Sequence, residues 1–202
     1  MNEQRTRYPG YDVLKEQDEW DPHTREIVLK RLGPFPEPEF LSENEVEMIK
    51  AIAGHLVYDN REEIMAFVVH NLDQNLASDI GESERKPEQP EQKNLIRWGL
   101  RYIESLAQTE YKSKFLELDE EKQFQIIAAL QTGKAPQLPE WSRVPQKELF
   151  KKLVTEVVGA YYSHPQVWSE IGYGGPAYPR GYVRVEHGLT DPWEAKRDVG
   201  ES

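Results

Sequence analysis

The 202-residue sequence contains no cysteine, no long apolar run and no recognisable export signal. Without cysteine the chain has no disulfide, no thiolate metal ligand and no cysteine nucleophile. No apolar run approaches the roughly 20 residues that a membrane-spanning helix needs. The N-terminus has neither the apolar stretch of a secretory leader nor a twin-arginine leader. We therefore expect a cytoplasmic protein without direct membrane insertion.

Basic residues are scarce relative to acidic ones. The chain has 25 Lys and Arg against 36 Asp and Glu, which gives a formal net charge of -11. Nucleic acids and anionic membrane surfaces both select for clustered Lys and Arg, so neither is an expected partner. The length suits one domain with peripheral extensions better than two full domains.

Motifs for catalysis and cofactor binding are also missing. The sequence has no His-Glu-x-x-His, and its "GYGGP" has neither the GxGxxG spacing nor a phosphate-loop lysine. His70 with Asp73 is a histidine–carboxylate pairing at helical spacing, and a metal site would need further ligands from elsewhere. Ser163 lies beside His164 without a placed acid, so nucleophilic catalysis is not indicated. We predict no catalytic residue, no metal ligand and no bound cofactor in this chain.

Helical signals dominate the sequence from residue 41 onward. Ser42-Glu43-Asn44-Glu45 has the pattern of a capping box, and apolar residues then recur at three- and four-residue steps. Beyond this first long helix, the predicted helices are Pro22–Leu32, Arg61–Ile80, Glu91–Thr109, Glu120–Gln131 and Gln146–Tyr162. No strand alternation competes with them, so the predicted fold class is all-α, a bundle of four to five helices.

Composition divides the chain into three segments. Residues 1–40 carry "YPGY" and "GPFPEPEF" on either side of the short helix, and we interpret them as an extended N-terminal arm. Residues 41–163 form the predicted helical bundle, with "GESERKPEQPEQ" as a solvated linker inside it. Residues 164–202 are rich in Gly, Pro and aromatic residues, and we predict a partner-docking tail.

The stretch "YYSHPQVWSEIGYGGPAYPRGY", residues 161–182, contains five of the ten tyrosines. Its rings could cover the protein's own bundle or anchor a partner. Aromatic and Arg residues dominate interface hot spots, and Gly and Pro let a backbone approach another surface at low ordering cost. A bundle whose helices already bury their apolar faces has little need of more rings, so we favour partner binding. Trp20 and Trp193 extend this aromatic character to both ends of the chain.

The predicted partner contacts fall into two groups. The main group is Tyr161, Tyr162, His164, Trp168, Tyr173, Tyr178, Arg180 and Tyr182, with Gly174, Gly175 and Pro176 setting the backbone. Trp20, Asp21 and His23 form a second contact or hold the arm. Two alternatives stay open. One is a stand-alone helical enzyme with a metal or small-molecule site near His70 and His164, and the other is a protein that self-associates through its tail.

The same C-terminal stretch, with "DEWDPHTREIVLKRL" upstream and "FLELDEEKQFQIIAALQTGK" between, resembles the gluconate 2-dehydrogenase subunit 3 family over residues 8 to about 193. Members are small, non-catalytic subunits of FAD-dependent dehydrogenases of the glucose-methanol-choline (GMC) type, which oxidise a sugar, sugar acid or polyol. In many members a cytochrome c subunit completes a membrane-bound complex. The resemblance implies that this chain binds and stabilises or matures such a large subunit, which holds the FAD.

The sequence departs from the family pattern at its N-terminus. Many members carry a twin-arginine leader that exports the folded flavoprotein, and this sequence has none. The resemblance therefore implies a cytoplasmic flavoprotein partner here. The chain also lacks the Cys-x-x-Cys-His motif for haem attachment, so it is not expected to be the cytochrome subunit.

Overall fold

In a computed structural model, the residues described are 6–78, 90–181, 183–184, 186 and 188–197. These residues form seven α-helices and three short 3₁₀ helices, and no strand occurs among them. The α-helices are α1 (Pro22–Lys30), α2 (Glu43–Val57), α3 (Glu62–Ala77), α4 (Gln92–Tyr111), α5 (Glu120–Thr132), α6 (Gln146–Tyr161) and α7 (Pro165–Ile171). The predicted all-α class is confirmed.

Cα packing divides the chain into two compact units. The bundle unit is Phe35–Ala160, and the arm–tail unit combines the described residues of Met1–Pro34 with those of Tyr161–Ser202. The division predicted from composition treats the arm and the tail as separate segments, whereas the structure places them in one unit. Composition does not show this pairing because the two segments lie at opposite ends of the chain.

Two of the bundle helices begin with the predicted caps. The Ser42 hydroxyl accepts the backbone N–H of Glu45, and the Glu45 carboxylate accepts the backbone N–H of Ser42 at 2.9 Å. The Asp119 carboxylate accepts the backbone N–H of Lys122 at the start of α5. That helix ends at Gly133 with φ 69°, a left-handed conformation that favours glycine. These local predictions are confirmed.

The bundle unit has an interior of mostly aliphatic side chains. Ile96, Ile103 and Leu106 of α4 are among its fully buried residues. The buried Tyr102 donates its hydroxyl proton to the Pro136 carbonyl at 2.6 Å and accepts from the Gln146 amide at 2.8 Å. Burial of each large aliphatic side chain contributes about 1.5–3 kcal/mol. The bundle is therefore stabilised chiefly by apolar area.

The sequence prediction missed one helix. It continued the last helix to Tyr162 and left the following residues without a helix, whereas α6 ends at Tyr161 and α7 begins at Pro165. His164 caps α7, because its Nδ1 accepts the backbone N–H of Gln166 at 3.3 Å. Proline is favoured at the first helical position, but histidine is not among the usual capping residues, which weakened the local signal.

The linker predicted from the sequence, "GESERKPEQPEQ", lies mostly outside the described residues. Within the ranges that the structure describes, none of the helices combines the length and the apolar character required to cross a bilayer.

Candidate partner-binding surface

A small second core joins the arm to the tail within the arm–tail unit. It consists of Val13, Trp20, Val28 and Trp168, with Tyr11 and Leu14 packed against it. Trp20 is only 4% exposed and Trp168 only 7%. Tyr161 and His164 are also buried. Four of the predicted partner contacts therefore have packing roles inside this chain.

Trp168 is held by polar contacts as well as by packing. Its indole N–H donates to the Tyr162 carbonyl at 2.6 Å, and the Arg31 guanidinium lies over its ring, 5.2 Å from the centroid. Arg31 also donates to the Ser163 carbonyl at 2.8 Å. Burial lowers the pKa of Arg31 from its ordinary value, although a guanidinium stays charged at any physiological pH. The cation–π contact and the two hydrogen bonds fix the indole in one orientation.

Hydrogen bonds also connect the arm backbone to α7. The Ser169 hydroxyl accepts the backbone N–H of Val13 at 3.1 Å and donates to the Pro165 carbonyl at 3.1 Å. The Thr6 hydroxyl donates to the Glu170 carbonyl at 2.7 Å. These bonds pair partly buried polar groups of the arm with groups of α7, so they make the arm's position specific.

Two tail glycines lie against arm side chains. Gly172 has φ 73°, and a Cβ there would lie 2.5 Å from the Tyr8 ring. Gly175 has φ 75°, and a Cβ there would lie 2.9 Å from the Trp20 ring and 3.0 Å from Val13. Gly175 was predicted to let the backbone approach a partner. In this structure the close neighbour is the chain's own arm.

Arg180 also connects the tail to the arm. Its side chain is buried, and it forms an ion pair with Glu16 at 3.3 Å. It donates to the Gly174 carbonyl at 3.2 Å and lies over the Trp193 ring, 4.8 Å from the centroid. The guanidinium predicted to contact a partner is therefore engaged within the arm–tail unit.

Three of the predicted tyrosine contacts remain at the surface, and we refer to them as the tail tyrosines. Tyr162 is 50% exposed, Tyr173 43% and Tyr178 69%. The Tyr173 ring packs edge-on against Trp168 at 5.3 Å between centroids. Tyr162 follows Tyr161, and their rings meet edge-on at 5.2 Å. Tyr162 and Tyr173 thus each pack against a neighbouring ring and leave a large part of their own ring in solvent.

The remaining predicted contacts have mixed positions. Asp21 caps α1, because its carboxylate accepts the backbone N–H groups of His23 and Thr24. Hydrogen bonding from Thr24 lowers the pKa of Asp21 from its ordinary value. His23 is exposed, Gly174 and Pro176 are half-buried, and Tyr182 lies outside the described residues.

The histidines that suggested a metal or small-molecule site have structural roles. The buried Asp73 carboxylate accepts the backbone N–H groups of Glu39, Phe40 and Leu41, all at 3.0 Å or less. The ring of His70 stacks on Phe35 at 4.8 Å. His70 belongs to the bundle unit and His164 to the arm–tail unit. No group of three or more His, Asp or Glu side chains among the described residues is arranged to hold a metal ion.

Sequence reasoning missed several residues of the arm–tail unit. Glu16, Arg31 and Ser169 each make a hydrogen bond or ion pair that joins the arm to the tail. Such pairs span almost the whole chain, so no helical period or short motif connects them. The aromatic residues at both ends of the sequence were the one available signal.

The structure thus defines an all-α protein with exposed tyrosines on a tail that its own arm holds. The model of the family described as gluconate 2-dehydrogenase subunit 3 matches residues 43–175, well over half of the chain. The chain belongs to this family, which confirms the resemblance and indicates an accessory subunit of an oxidoreductase complex. No curated protein and no solved structure matches the chain.

Proposed function

We propose that this chain is a non-catalytic subunit that binds the FAD-dependent, GMC-type large subunit of a sugar, sugar-acid or polyol dehydrogenase. Family membership supports the partner class. The observation that carries the proposed surface is the exposure of the tail tyrosines, from 43% to 69%, in a unit whose Trp20, Tyr161 and Trp168 are buried. The FAD and the catalytic residues belong to the partner in this proposal, and a cytochrome c subunit is a further candidate component.

The tail tyrosines suit a protein interface for physical reasons. A tyrosine supplies a large amphipathic contact area and loses only two side-chain torsions when it is ordered. Tyr173 already packs one edge against Trp168, so part of its ordering cost is met before a partner arrives. A partner that covers the rest of the ring gains apolar burial with little further loss of entropy.

The proposed role is to stabilise or mature the flavoprotein. A subunit that binds only the folded partner shifts the folding equilibrium of that partner by mass action. At a free concentration 100 times the dissociation constant, this stabilisation is about 2.7 kcal/mol. No chemistry is required of the small subunit for this effect.

Co-purification with a flavoprotein tests the proposal. The chain is co-expressed with a GMC-type dehydrogenase subunit encoded in the same genome, and the complex is isolated through a tag on this chain. We expect Tyr173→Ala and Tyr178→Ala each to weaken association by about 2 kcal/mol. Phe124→Ala, which truncates a ring of α5 that is 46% exposed, is the matched control and should leave association unchanged.

The results of this experiment test the accessory role and the proposed binding surface separately. If wild-type protein recovers no flavoprotein, the accessory role is contradicted. If it recovers flavoprotein and both tyrosine variants do so equally well, the tail surface is contradicted. Self-association through the tail predicts instead a dimer of the isolated chain in sedimentation velocity. The expected cytoplasmic location stays a prediction that cell fractionation would test.

A further inference from the structure

Two of the tail tyrosines are each one contact away from the N-terminal arm. Tyr173 packs against Trp168, which shares its core with Trp20 and Val13 of the arm. Tyr178 lies in a turn closed by the Gly181 N–H, which donates to the Ala177 carbonyl at 2.6 Å. Arg180, in the same turn, pairs with Glu16 of the arm.

Residues 172–181 have little structure of their own. They contain no helix or strand, so their backbone lacks a regular hydrogen-bond ladder. Gly172, Gly174, Gly175 and Gly181 also give this segment a high conformational entropy when it is released. The conformation that presents Tyr173 and Tyr178 therefore depends on contacts from elsewhere in the arm–tail unit.

The arm supplies such contacts at several points. They include the second core around Trp20, the Val13 N–H that donates to Ser169, the close approach of Trp20 to Gly175, and the ion pair between Glu16 and Arg180. They differ in kind, being apolar, hydrogen-bonded, steric and ionic. A single surface substitution in the partner interface would disturb none of them.

We propose that the arm is a clasp that holds Tyr173 and Tyr178 in their binding conformation, so that arm residues control partner affinity without contacting the partner. The clasp itself is intramolecular, and its effect on binding rests on the proposed function. Opening the clasp is expected to release residues 172–181 while the helices of the bundle unit stay folded.

Hydrogen exchange on the full-length chain tests the clasp through Gly175→Ala. The new Cβ would lie 2.9 Å from Trp20 at a φ of 75°, so the variant combines a clash with backbone strain. Gly10→Ala is the matched control, because Gly10 has φ 80° and nothing within 4 Å of its Cβ position. We expect Gly175→Ala to speed exchange at Val13 and across residues 173–181 at least tenfold, and to leave Ile103 and Leu106 unchanged. Gly10→Ala should change these rates much less.

A second variant removes the ionic contact without altering side-chain size. Glu16→Gln is expected to speed exchange around Arg180 and to weaken flavoprotein binding about tenfold. Asp18→Asn is its control, since Asp18 pairs with Arg25 in an exposed position that does not involve the tail. It should change neither exchange nor binding.

Each outcome bears on the clasp. If Gly175→Ala and Glu16→Gln leave tail exchange at the wild-type rate, the clasp is overturned. It is overturned equally if they release the tail while flavoprotein affinity stays unchanged. If the exchange pattern is as expected but wild-type protein binds no flavoprotein, the intramolecular clasp stands and the proposed function fails.

Discussion

The two units of this protein are stabilised in different ways. The bundle unit buries aliphatic side chains such as Ile96, Ile103 and Leu106 on helices whose apolar residues recur at a regular period. The arm–tail unit buries the two indoles of Trp20 and Trp168 and relies on hydrogen bonds between side chains and the backbone of a distant segment. Apolar area is spread over many residues in the first unit. In the second, each individual contact carries a larger share of the stability.

Because the two units are stabilised differently, we expect them to open locally at different free energies. Regions with few buried apolar contacts open locally at a lower free energy than a helical core does. The arm–tail unit also presents the exposed tyrosines that we assign to partner binding. Binding surfaces are commonly drawn from the less stable parts of a protein, so the contacts with which the arm holds Tyr173 and Tyr178 are expected to matter for binding.

The largest expected loss of stability comes from the bundle core. Ile103→Ala leaves a cavity at a fully buried position of α4, so we expect it to lower the free energy of unfolding by about 4 kcal/mol. Urea denaturation followed by circular dichroism measures this loss. Ile27→Ala, at a position that is 43% exposed, is the control and should change it by less than about 0.5 kcal/mol. If both variants lose the same free energy of unfolding, burial does not account for the contribution of Ile103 to stability.

A somewhat smaller and local effect is expected in the arm–tail unit. Trp168→Ala removes the central indole of the second core, and we expect a loss of about 3 kcal/mol confined to that unit. Limited proteolysis should then cut the tail faster, while the urea midpoint of the bundle stays within error of wild type. A matching fall in the bundle midpoint would mean that the two units unfold together.

A pH effect of about 1 kcal/mol is expected at the capping box of α2. Partial burial acts to raise the pKa of Glu45, but hydrogen bonds from Ser42 and Arg97 outweigh it and leave the pKa below its ordinary value of 4.5. A lowered pKa means that this stabilisation is complete above the unfolded-state pKa and is lost as the pH falls through the folded-state pKa. Wild type should therefore exceed Glu45→Gln in stability by about 1 kcal/mol at neutral pH.

The same comparison at lower pH provides the check. Urea midpoints of wild type and Glu45→Gln should converge as the pH falls below 4.5 and through the lowered pKa of Glu45 in the folded state, because the wild-type carboxylate then becomes protonated. A difference that persists to the lowest pH would show that the charge of Glu45 does not contribute. The bundle is the right unit for this test because its helix caps are local and independent of the tail.

The smallest expected change in stability is at the exposed surface. Tyr178→Ala truncates a ring that is 69% exposed, so we expect the free energy of unfolding to change by less than about 0.5 kcal/mol. Thermal denaturation of the isolated chain measures this. The combination of unchanged stability with lost flavoprotein binding would distinguish Tyr178 from Trp168, whose truncation affects folding as well. If Tyr178→Ala instead lowers the free energy of unfolding substantially, the Tyr178 side chain contributes to the second core of the arm–tail unit.

Most helices could be predicted from the sequence because their signals are local. The capping box at Ser42, the cap at Asp119 and the left-handed Gly133 all act between residues a few positions apart. Apolar residues at three- and four-residue steps likewise indicate a buried helix face without reference to the rest of the chain. The helix that was missed, α7, begins at a cap residue whose local signal is weak.

The candidate site was predictable only in part. The sequence showed that residues 161–182 are unusually aromatic, but it did not show which rings stay in solvent. Trp168 and Tyr173 lie in the same stretch, yet one is 7% exposed and the other 43%. Their difference depends on where Trp20 and Arg31 of the arm lie, and no local pattern encodes that position.

Signals within short segments of the chain specify the helical class, most of the helices and the family, because periodicity, caps and motifs act between residues that are close in sequence. Contacts in the folded protein specify the packing of the arm on the tail and the close approach of Gly175 to Trp20. They also leave Tyr162, Tyr173 and Tyr178 exposed. Burial and close approach involve residues that are far apart in the chain, so no short segment encodes them.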